Sequence, residues 1–259
     1  MRRIFAAIVL AFALAPASAA ADWPTYHLDS TRAGNDTTEP TPTPVARDWS
    51  SPTLDGRVYA EPLYVNGQLL VATENDTVYA LDAKTGAIAW QTSLGNAVSP
   101  SWPTFQCGNI DPIGVTSTPV VDAANGVLYA VGLTWDGSTT SSIHYQLSAI
   151  NLNSGTPAPG AILWQEAIVP AATGFTFNPY DQGQRGALGF NNGVVYIPFG
   201  GRAGDCGTYR GWVTAATVTR TAAGAVNSFA LPVAAGTIAS CQRMAPGAGV
   251  PELRLMALS

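Results

Sequence analysis

Residues 80–90 read Ala-Leu-Asp-Ala-Lys-Thr-Gly-Ala-Ile-Ala-Trp, and this stretch decides the fold. Two short β-prone runs flank the Thr85-Gly86 turn. Glycine adopts a turn conformation that residues with a Cβ resist, and the Asp82 carboxylate can accept hydrogen bonds from turn amides. Trp90 ends the second run with a large apolar ring that can lie flat against a neighbouring sheet. The stretch therefore predicts the last hairpin of an antiparallel sheet that docks on another sheet.

Three Asn-Gly dipeptides mark further hairpins, at residues 66–67, 125–126 and 192–193. Asn-Gly suits the positive φ angles of a two-residue type I′ turn. In each case one β-prone run precedes the dipeptide and a second follows it. A third run comes next, then a turn made of a small residue and a glycine, and then a fourth run. The three later turns are Thr85-Gly86, Ser154-Gly155 and Ala223-Gly224.

Repeated units of four antiparallel strands are the sequence pattern of β-propeller blades. We therefore predict an all-β fold, a partial β-propeller of three four-stranded antiparallel blades plus an N-terminal closing strand. The closing strand is expected within residues 45–54, where Trp49 aligns with Trp90. No further Asn-Gly hairpin follows Leu231, whereas a closed propeller needs about four to eight blades. This pattern predicts a propeller that is truncated at its C-terminus.

The N-terminal residues have the pattern of an export signal. Residues 1–3 are Met-Arg-Arg, residues 4–14 are apolar, and residues 17–19 form an Ala-Ser-Ala cleavage site. The apolar run is too short to span a bilayer, and no second long apolar run follows, so we predict no stable membrane span. The mature chain is expected in the periplasm or outside the cell. A net charge of −5 argues against nucleic acid as a partner.

The predicted boundaries follow from these patterns. They are 1–21 for the signal peptide, 22–56 for an N-terminal segment with the orphan closing strand, 57–232 for the blades (about 57–95, 114–170 and 184–232), and 233–259 for an atypical, poorly ordered tail.

The repeat resembles the docking repeat of the PQQ-type (quinoprotein alcohol dehydrogenase-like) β-propellers. Ala, Asp, Thr-Gly and Trp recur there at the offsets of residues 80–90, and the second unit carries a weaker copy. The resemblance covers about residues 22–232 and is specific for the fold, not for an activity. It implies structural roles for the docking residues, which are Ala80, Asp82, Thr85, Gly86, Trp90, Ala149, Asn151, Gly155 and Trp164.

Long insertions are expected on one face of the blades, which we call the long-loop face. They are residues 95–114, 133–143, 170–184 and 200–211. Such loops often mark a binding side, so we predict that an unknown protein or small-molecule ligand binds there. The alternative is that the loop aromatics only pack their own loops. The aromatic and acidic residues concerned are Trp102, Phe105, Trp135, Phe175, Phe177, Tyr180, Tyr209, Asp111, Asp136, Asp181 and Asp205.

Two cysteines also fall in these loops. Cys107 and Cys206 lie in Gly/Asp-rich loops of the adjacent second and third blades. Because disulfides form in exported proteins, we expect that these two cysteines can form one. Cys241 would then be the odd thiol.

Signals for catalysis are poor. The two histidines, His27 and His144, lie in different contexts, and we predict no catalytic, cofactor-binding or metal-binding residue. Quinone-dependent dehydrogenases of the resembling superfamily stack their quinone between a Trp and a disulfide of neighbouring cysteines and add calcium. This chain has no adjacent cysteines.

Three functions remain open at this point. The preferred one is a non-catalytic binding or scaffold module similar to the outer-membrane-protein assembly propellers. The alternatives are a fragment of a dehydrogenase that uses PQQ and calcium, and a nonfunctional truncated gene product.

Overall fold

The computed structural model describes residues 21–38, 48–99, 109–137, 142–172, 174–202 and 210–230. In this part of the chain all elements of two or more residues are β-strands, and no helix of that length is present. The strands form three antiparallel blades. The predicted fold class is thereby confirmed. Residues 1–20 of the predicted signal peptide, Cys107, Cys206, Cys241 and the predicted tail lie outside the described residues.

Blade 1 is a four-stranded antiparallel meander. Its strands are β1 (Leu63–Val65), β2 (Gln68–Ala72), β3 (Thr77–Asp82) and β4 (Ile88–Ser93). Asn66 and Gly67 both have positive φ, at 50° and 75°, as expected of the two-residue turn that joins β1 to β2.

Blade 2 has the same order with one added short strand. Its strands are β5 (Asn96–Ala97), β6 (Val120–Asp122), β7 (Val127–Trp135), β8 (His144–Asn151) and β9 (Ile162–Ile168). Strands β6 to β9 form the meander, and β5 pairs with the end of β7 that projects on the long-loop face.

The prediction of a two-residue turn at Asn125-Gly126 is wrong. Asp122 pairs with Val127, so the connection has four residues, and only Gly126 takes a positive φ. The Asp122 carboxylate accepts hydrogen bonds from the backbone and side-chain nitrogens of Asn125, which stabilises the wider loop.

Blade 3 follows a small hairpin. The hairpin is β10 (Ala171–Ala172) with β11 (Phe175–Thr176), and the blade contains β12 (Gln182–Gly183), β13 (Gly189–Asn191), β14 (Val194–Gly201), β15 (Trp212–Val218) and β16 (Ala223–Ala230). Asn192-Gly193 forms the predicted turn. Gly224, which was expected in a turn, lies within β16, because the chain reverses at residues 219–222.

Two apolar cores hold the blades side by side. The side chains of β7 alternate between them, as the period of a strand requires. Leu128 and Ala130 are fully buried in the core shared with blade 1, and Tyr129 and Val131 in the core shared with blade 3. Blade 2 therefore buries apolar residues on both sides, and this burial is the main stabilising contribution.

Candidate functional site

Three tryptophans lie on the outer turns of the blades; Trp49 and Trp164 donate an indole hydrogen bond there, whereas the indole nitrogen of Trp90 has no described partner. The Trp49 indole nitrogen donates to the carbonyl oxygen of Ala83 in blade 1 at 3.0 Å, and its ring lies against Gly86. The Trp164 indole nitrogen donates to the Thr219 carbonyl oxygen in blade 3 at 3.1 Å. Residues 48–50 thus lie on blade 1 as the outermost strand of a preceding blade would, although the described segment is not hydrogen-bonded as a strand.

Trp90 occupies the same position on blade 2, but its glycine is Gly160 and not Gly155. A Cβ on Gly160 would lie 2.8 Å from Cδ2 of Trp90, whereas nothing lies near Gly155. The amide of Gly160 donates to Asn151, as the amide of Gly86 donates to Asp82. The inserted residues therefore precede the docking glycine, and the four-residue spacing from glycine to tryptophan is kept.

The other docking residues contact neighbouring strands and turns of blades 1 and 2. Ala80 and Ala149 are fully buried and pair with Trp90 and Trp164, respectively. The Asn151 side chain donates to three carbonyl oxygens of the enlarged turn.

Asp82 holds the turn of blade 1. Its carboxylate accepts hydrogen bonds from the hydroxyl and amide of Thr85, and these bonds lower the pKa of Asp82.

The loop aromatics that the structure describes pack inward, against the core between blades 2 and 3 and not only against their own loops. Phe177 makes edge contacts with Tyr145, Phe199 and Trp212 inside the core between blades 2 and 3. Three more pack against the same core, namely Trp135, Phe175 and Tyr180. Trp102, Phe105, Tyr209 and Asp205 lie outside the described residues.

The described loop aspartates hold local structure. Asp111 accepts a hydrogen bond from the Ser99 hydroxyl, Asp136 from the Ser142 hydroxyl and Asp181 from the Asn178 amide.

The inner segments, which precede the first meander strand of each blade (β1, β6 and β13), lie next to one another. They are residues 57–62, 114–119 and 183–188. Thr118 links them: its hydroxyl accepts from the Glu61 amide at 2.9 Å and its carbonyl from the Leu188 amide at 3.0 Å. Three separate stretches of sequence are therefore fixed around one region.

A pocket that is open to solvent lies between the inner segments of blades 2 and 3, and its space free of atoms, including the solvent at its mouth, is about 410 Å³. Its lining includes two arginines and, among the described residues, no aspartate or glutamate. The lining residues are Asn109, Ile110, Ile113, Thr116, Tyr145, Gly183, Gln184, Arg185 and Arg202.

Most polar groups of the pocket wall are engaged in holding the loops. The Tyr145 hydroxyl donates to the Gln182 carbonyl at 2.7 Å, and burial raises the pKa of this phenol. The Arg202 guanidinium donates to the carbonyl oxygens of Pro179, Tyr180 and Gln182, and burial lowers its pKa. The wall is therefore fixed before any ligand binds.

Arg185 differs from Arg202. It is exposed, and its guanidinium lies 5.9 Å from the centre of the Tyr59 ring, which is also exposed. Among the described residues it has no hydrogen-bond or ion-pair partner. Its charge acts on the buried Glu74 carboxyl, whose pKa it lowers, while its guanidinium donors remain open to a ligand.

Two buried carboxyl groups lie behind Thr116. Glu74 Oε2 accepts hydrogen bonds from the Gly114 amide at 2.9 Å and the Thr116 hydroxyl at 3.0 Å. Asp76 is fully enclosed, and neither carboxyl oxygen has a described hydrogen-bond partner. Burial raises the pKa of both groups, and the neighbouring Glu74 raises that of Asp76 further. Burial therefore disfavours the charged form of both groups relative to an exposed carboxyl.

An N-terminal strap crosses the inner edges of the blades. Trp23 exchanges two backbone hydrogen bonds with Tyr64, the Pro24 carbonyl accepts from Val121, and Arg32 donates to the Leu188 carbonyl. This strap pairs strand edges that would otherwise be open.

The Glu61 carboxylate anchors the strap. It accepts hydrogen bonds from the Trp23 indole at 2.6 Å and the His27 amide at 3.2 Å.

The two histidines lie apart, as expected from their contexts. His27 belongs to the strap, and Nδ1 of His144 forms a hydrogen bond with the Ser142 carbonyl oxygen. Within the described ranges no three His, Cys, Asp or Glu side chains form a cluster suited to a metal ion. No helix in those ranges has the length and apolar character needed to cross a membrane.

The pocket was not predicted from the sequence. Its residues come from blades 2 and 3 and from loops of different length. One signal was present: Tyr59, Thr116 and Arg185 each stand four residues before the first strand of their blade's meander, so each faces the same region.

Comparisons with known proteins agree with the blade structure. Residues 43–158 match the family described as outer membrane protein assembly factor BamB. The quinohemoprotein alcohol dehydrogenase ADHIIG from Pseudomonas putida HK5 is similar in structure, with a TM-score of 0.53, 22% identity and coverage of 78% of this chain and 26% of that one.

Two further structures match with lower scores. BamB from Moraxella catarrhalis gives a TM-score of 0.43 at 17% identity, with 71% of this chain and 44% of that one covered. A europium-containing methanol dehydrogenase gives 0.45 at 18% identity, with 80% and 32% covered. The matched part is thus less than half the length of each of these structures. No curated protein matches the sequence significantly.

Proposed function

Because this chain is built from the blades of the PQQ-type β-propellers, we propose that it is an exported, non-catalytic binding or scaffold module. Its ligand or partner protein binds on the long-loop face. The observation that carries this proposal is the pocket between blades 2 and 3. Hydrogen bonds fix its wall, and among its described lining residues Arg185 is the charged group without a hydrogen-bond or ion-pair partner. Fixed walls favour recognition, because little ordering is needed when a ligand binds.

The state of the polar groups supports binding over turnover. A general base or nucleophile needs a side chain that can exchange a proton with the substrate. Tyr145, Thr116 and Arg202 instead donate to other groups of the protein, and Glu74 and Asp76 are enclosed.

A partner protein is one form of this proposal. The family matched by residues 43–158 is described as an outer membrane protein assembly factor, and a protein with that role works on other proteins. The insertions on one face offer a surface for such contacts.

The dehydrogenase alternative implies PQQ and calcium, and the described residues do not fit them. Glu74 and Asp76 are the carboxyl groups next to the pocket wall, yet neither lines the pocket, because Glu74 Oε2 accepts hydrogen bonds from Gly114 and Thr116 and Asp76 is fully enclosed. No adjacent cysteines exist in the sequence. We therefore derive no chemical step through this cofactor.

Two measurements test the proposal. In the first, PQQ and calcium chloride are added to the purified protein. We expect no saturable absorbance change and no dye reduction with ethanol or glucose, and the opposite result would establish the dehydrogenase alternative.

In the second, small organic acids, monosaccharides and short peptides are screened by thermal shift, and each stabilising compound is mapped by hydrogen exchange. We expect protection at residues 109–118 and 176–186 on the long-loop face. Protection confined to the opposite turns, at 83–87 and 153–160, would contradict the proposed binding face.

A further inference from the structure

We propose that the pocket between blades 2 and 3 binds a small organic acid, with its carboxylate on Arg185 and its apolar part against Ile110 and Ile113. This inference rests on the proposed binding function and adds the ligand class.

The charge of the pocket carries the first step. The protein has a net charge of −5, yet the pocket lining contains two arginines and, among the described residues, no acidic side chain. The nearby acid Glu74 lies behind Thr116, which donates to it, so it does not line the pocket. The lining therefore favours an anion over a cation or a neutral molecule.

The position of Arg185 carries the second step. Arg202 already donates to three carbonyl oxygens, whereas Arg185 contacts the Tyr59 ring and has no described hydrogen-bond partner. A guanidinium presents two parallel donors that match the geometry of a carboxylate. The cation–π contact with Tyr59 favours orientations of the side chain over that ring, so less freedom is lost on binding.

The rest of the lining carries the third step. Ile113 is buried and Ile110 partly buried, and both belong to the pocket. Apolar walls with a few polar groups are typical of sites for small organic molecules. An inorganic oxyanion would leave these walls without a partner, which is why we assign an organic acid.

Benzoate and benzamide test the assignment, because they have nearly the same shape and differ in charge. Binding is measured by NMR titration of the full mature chain at low ionic strength. We expect saturable binding of benzoate with shifts at residues 109–116 and 183–185, and much weaker binding of benzamide. Equal binding of the two compounds, or no saturable binding of benzoate, would overturn the inference.

Variants locate the contact. Arg185→Gln should weaken benzoate binding about 10- to 100-fold, the effect of losing hydrogen bonds to a charged group. Arg57→Gln is the matched control, since Arg57 is also an exposed arginine without a described side-chain partner but lies outside the pocket lining. It should leave the dissociation constant nearly unchanged. An equal loss in both variants would show a nonspecific charge effect and contradict the site.

Inorganic phosphate at matched ionic strength tests the apolar part. It should bind more weakly than benzoate, and phosphate binding as tight as benzoate would overturn the assignment of an organic ligand. If benzoate fails while a peptide or sugar protects the long-loop face in hydrogen exchange, this inference is wrong and the proposed function stands.

Discussion

Trp90 of blade 1 lies across Gly160 of blade 2, so close that a Cβ at residue 160 would lie 2.8 Å from Cδ2 and Cε3 of the indole. Gly160 also has a φ of 84°, which favours glycine. The contact between these two residues therefore depends on the missing side chain of Gly160, and it brings the outer strand of one blade against the outer turn of the next.

Gly160→Ala should destabilise the protein by more than Gly155→Ala does. Gly155 lies in the same loop with a φ of 110°, but nothing is near it, so its substitution introduces backbone strain alone. At residue 160 the displaced indole adds about 1–3 kcal/mol, as overpacking does elsewhere. Urea unfolding of both variants measures the difference. Equal losses would show that Trp90 does not depend on Gly160.

Gly132→Ala should be destabilising because of a single carboxyl group. A Cβ at residue 132 would overlap Oδ1 of Asp76, and the backbone there needs no glycine for its φ. We expect a loss of about 1–3 kcal/mol. In an Asp76→Gly background the same substitution should cost little, because the methyl group enters the space left by the carboxyl and residue 76 has a φ of 54°, which glycine tolerates.

Gly114→Ala is the control for this rescue. A Cβ at residue 114 would lie 2.6 Å from the backbone nitrogen of Asp76 and from the Glu74 carbonyl oxygen. Since backbone atoms remain in the Asp76→Gly variant, Gly114→Ala should stay destabilising. Thermal unfolding of the single and double variants gives the coupling.

The stability conferred at Asp76 should fall as pH rises. Burial raises the pKa of this carboxyl well above 3.8, so the folded protein keeps a proton that the unfolded chain has lost. The contribution of protonated Asp76 to the free energy of unfolding is therefore fully present below the pKa that Asp76 has in the unfolded chain. It declines by up to about 1.4 kcal/mol per pH unit until the pH passes the pKa of Asp76 in the folded protein. Asp76→Asn keeps the shape and the tolerance for a positive φ but cannot ionise.

The comparison of Asp76→Asn with the parent measures this effect together with the coupling of Asp76 to Glu74. The two should have similar stability at acidic pH, and the variant should be the more stable at alkaline pH. Asp55, whose pKa is lowered by its hydrogen bonds to Thr77, Asn75 and Thr73 despite partial desolvation, acts in the opposite direction but is common to both proteins. A difference that stays constant from acidic to alkaline urea titrations would show that Asp76 does not titrate in this way.

The blades were predictable from the sequence because their signals are local. Asn66-Gly67 and Asn192-Gly193 fix hairpins through their own backbone preference, and Trp90 docks through its own ring. The docking role of Gly160 was not predicted, because the sequence alone does not show whether the insertion in blade 2 precedes or follows the docking glycine. The nearest match to the repeat, Ser154-Gly155, was therefore chosen instead. The spacing shared by Gly86-Trp90 and Gly160-Trp164 would have identified it.

The pocket could not be predicted in the same way. Thr116 and Arg185 come together only when blades 2 and 3 pack, and the hydrogen bonds of Thr118 fix that arrangement. Whether an arginine is engaged, as Arg202 is, or available, as Arg185 is, depends on carbonyl groups of distant loops. Sequence spacing carries no information about those contacts.

Arg220 should contribute to the contact between blades 2 and 3. Its guanidinium donates to the carbonyl oxygens of Asn125 and Gly126 at 3.0 and 3.4 Å, and also to Oδ1 of Asn151. Arg220→Met keeps most of the apolar stem and removes these donors, so we expect a loss of about 1–2 kcal/mol, reduced by partial exposure. Arg57→Met, at an exposed arginine without a described side-chain partner, should leave the urea midpoint unchanged.

Hydrogen exchange should also become faster at residues 125–126 and 151–153 in Arg220→Met alone, since those residues lose their contact with blade 3. Unchanged exchange there, together with an unchanged midpoint, would show that Arg220 does not stabilise the contact between the two blades.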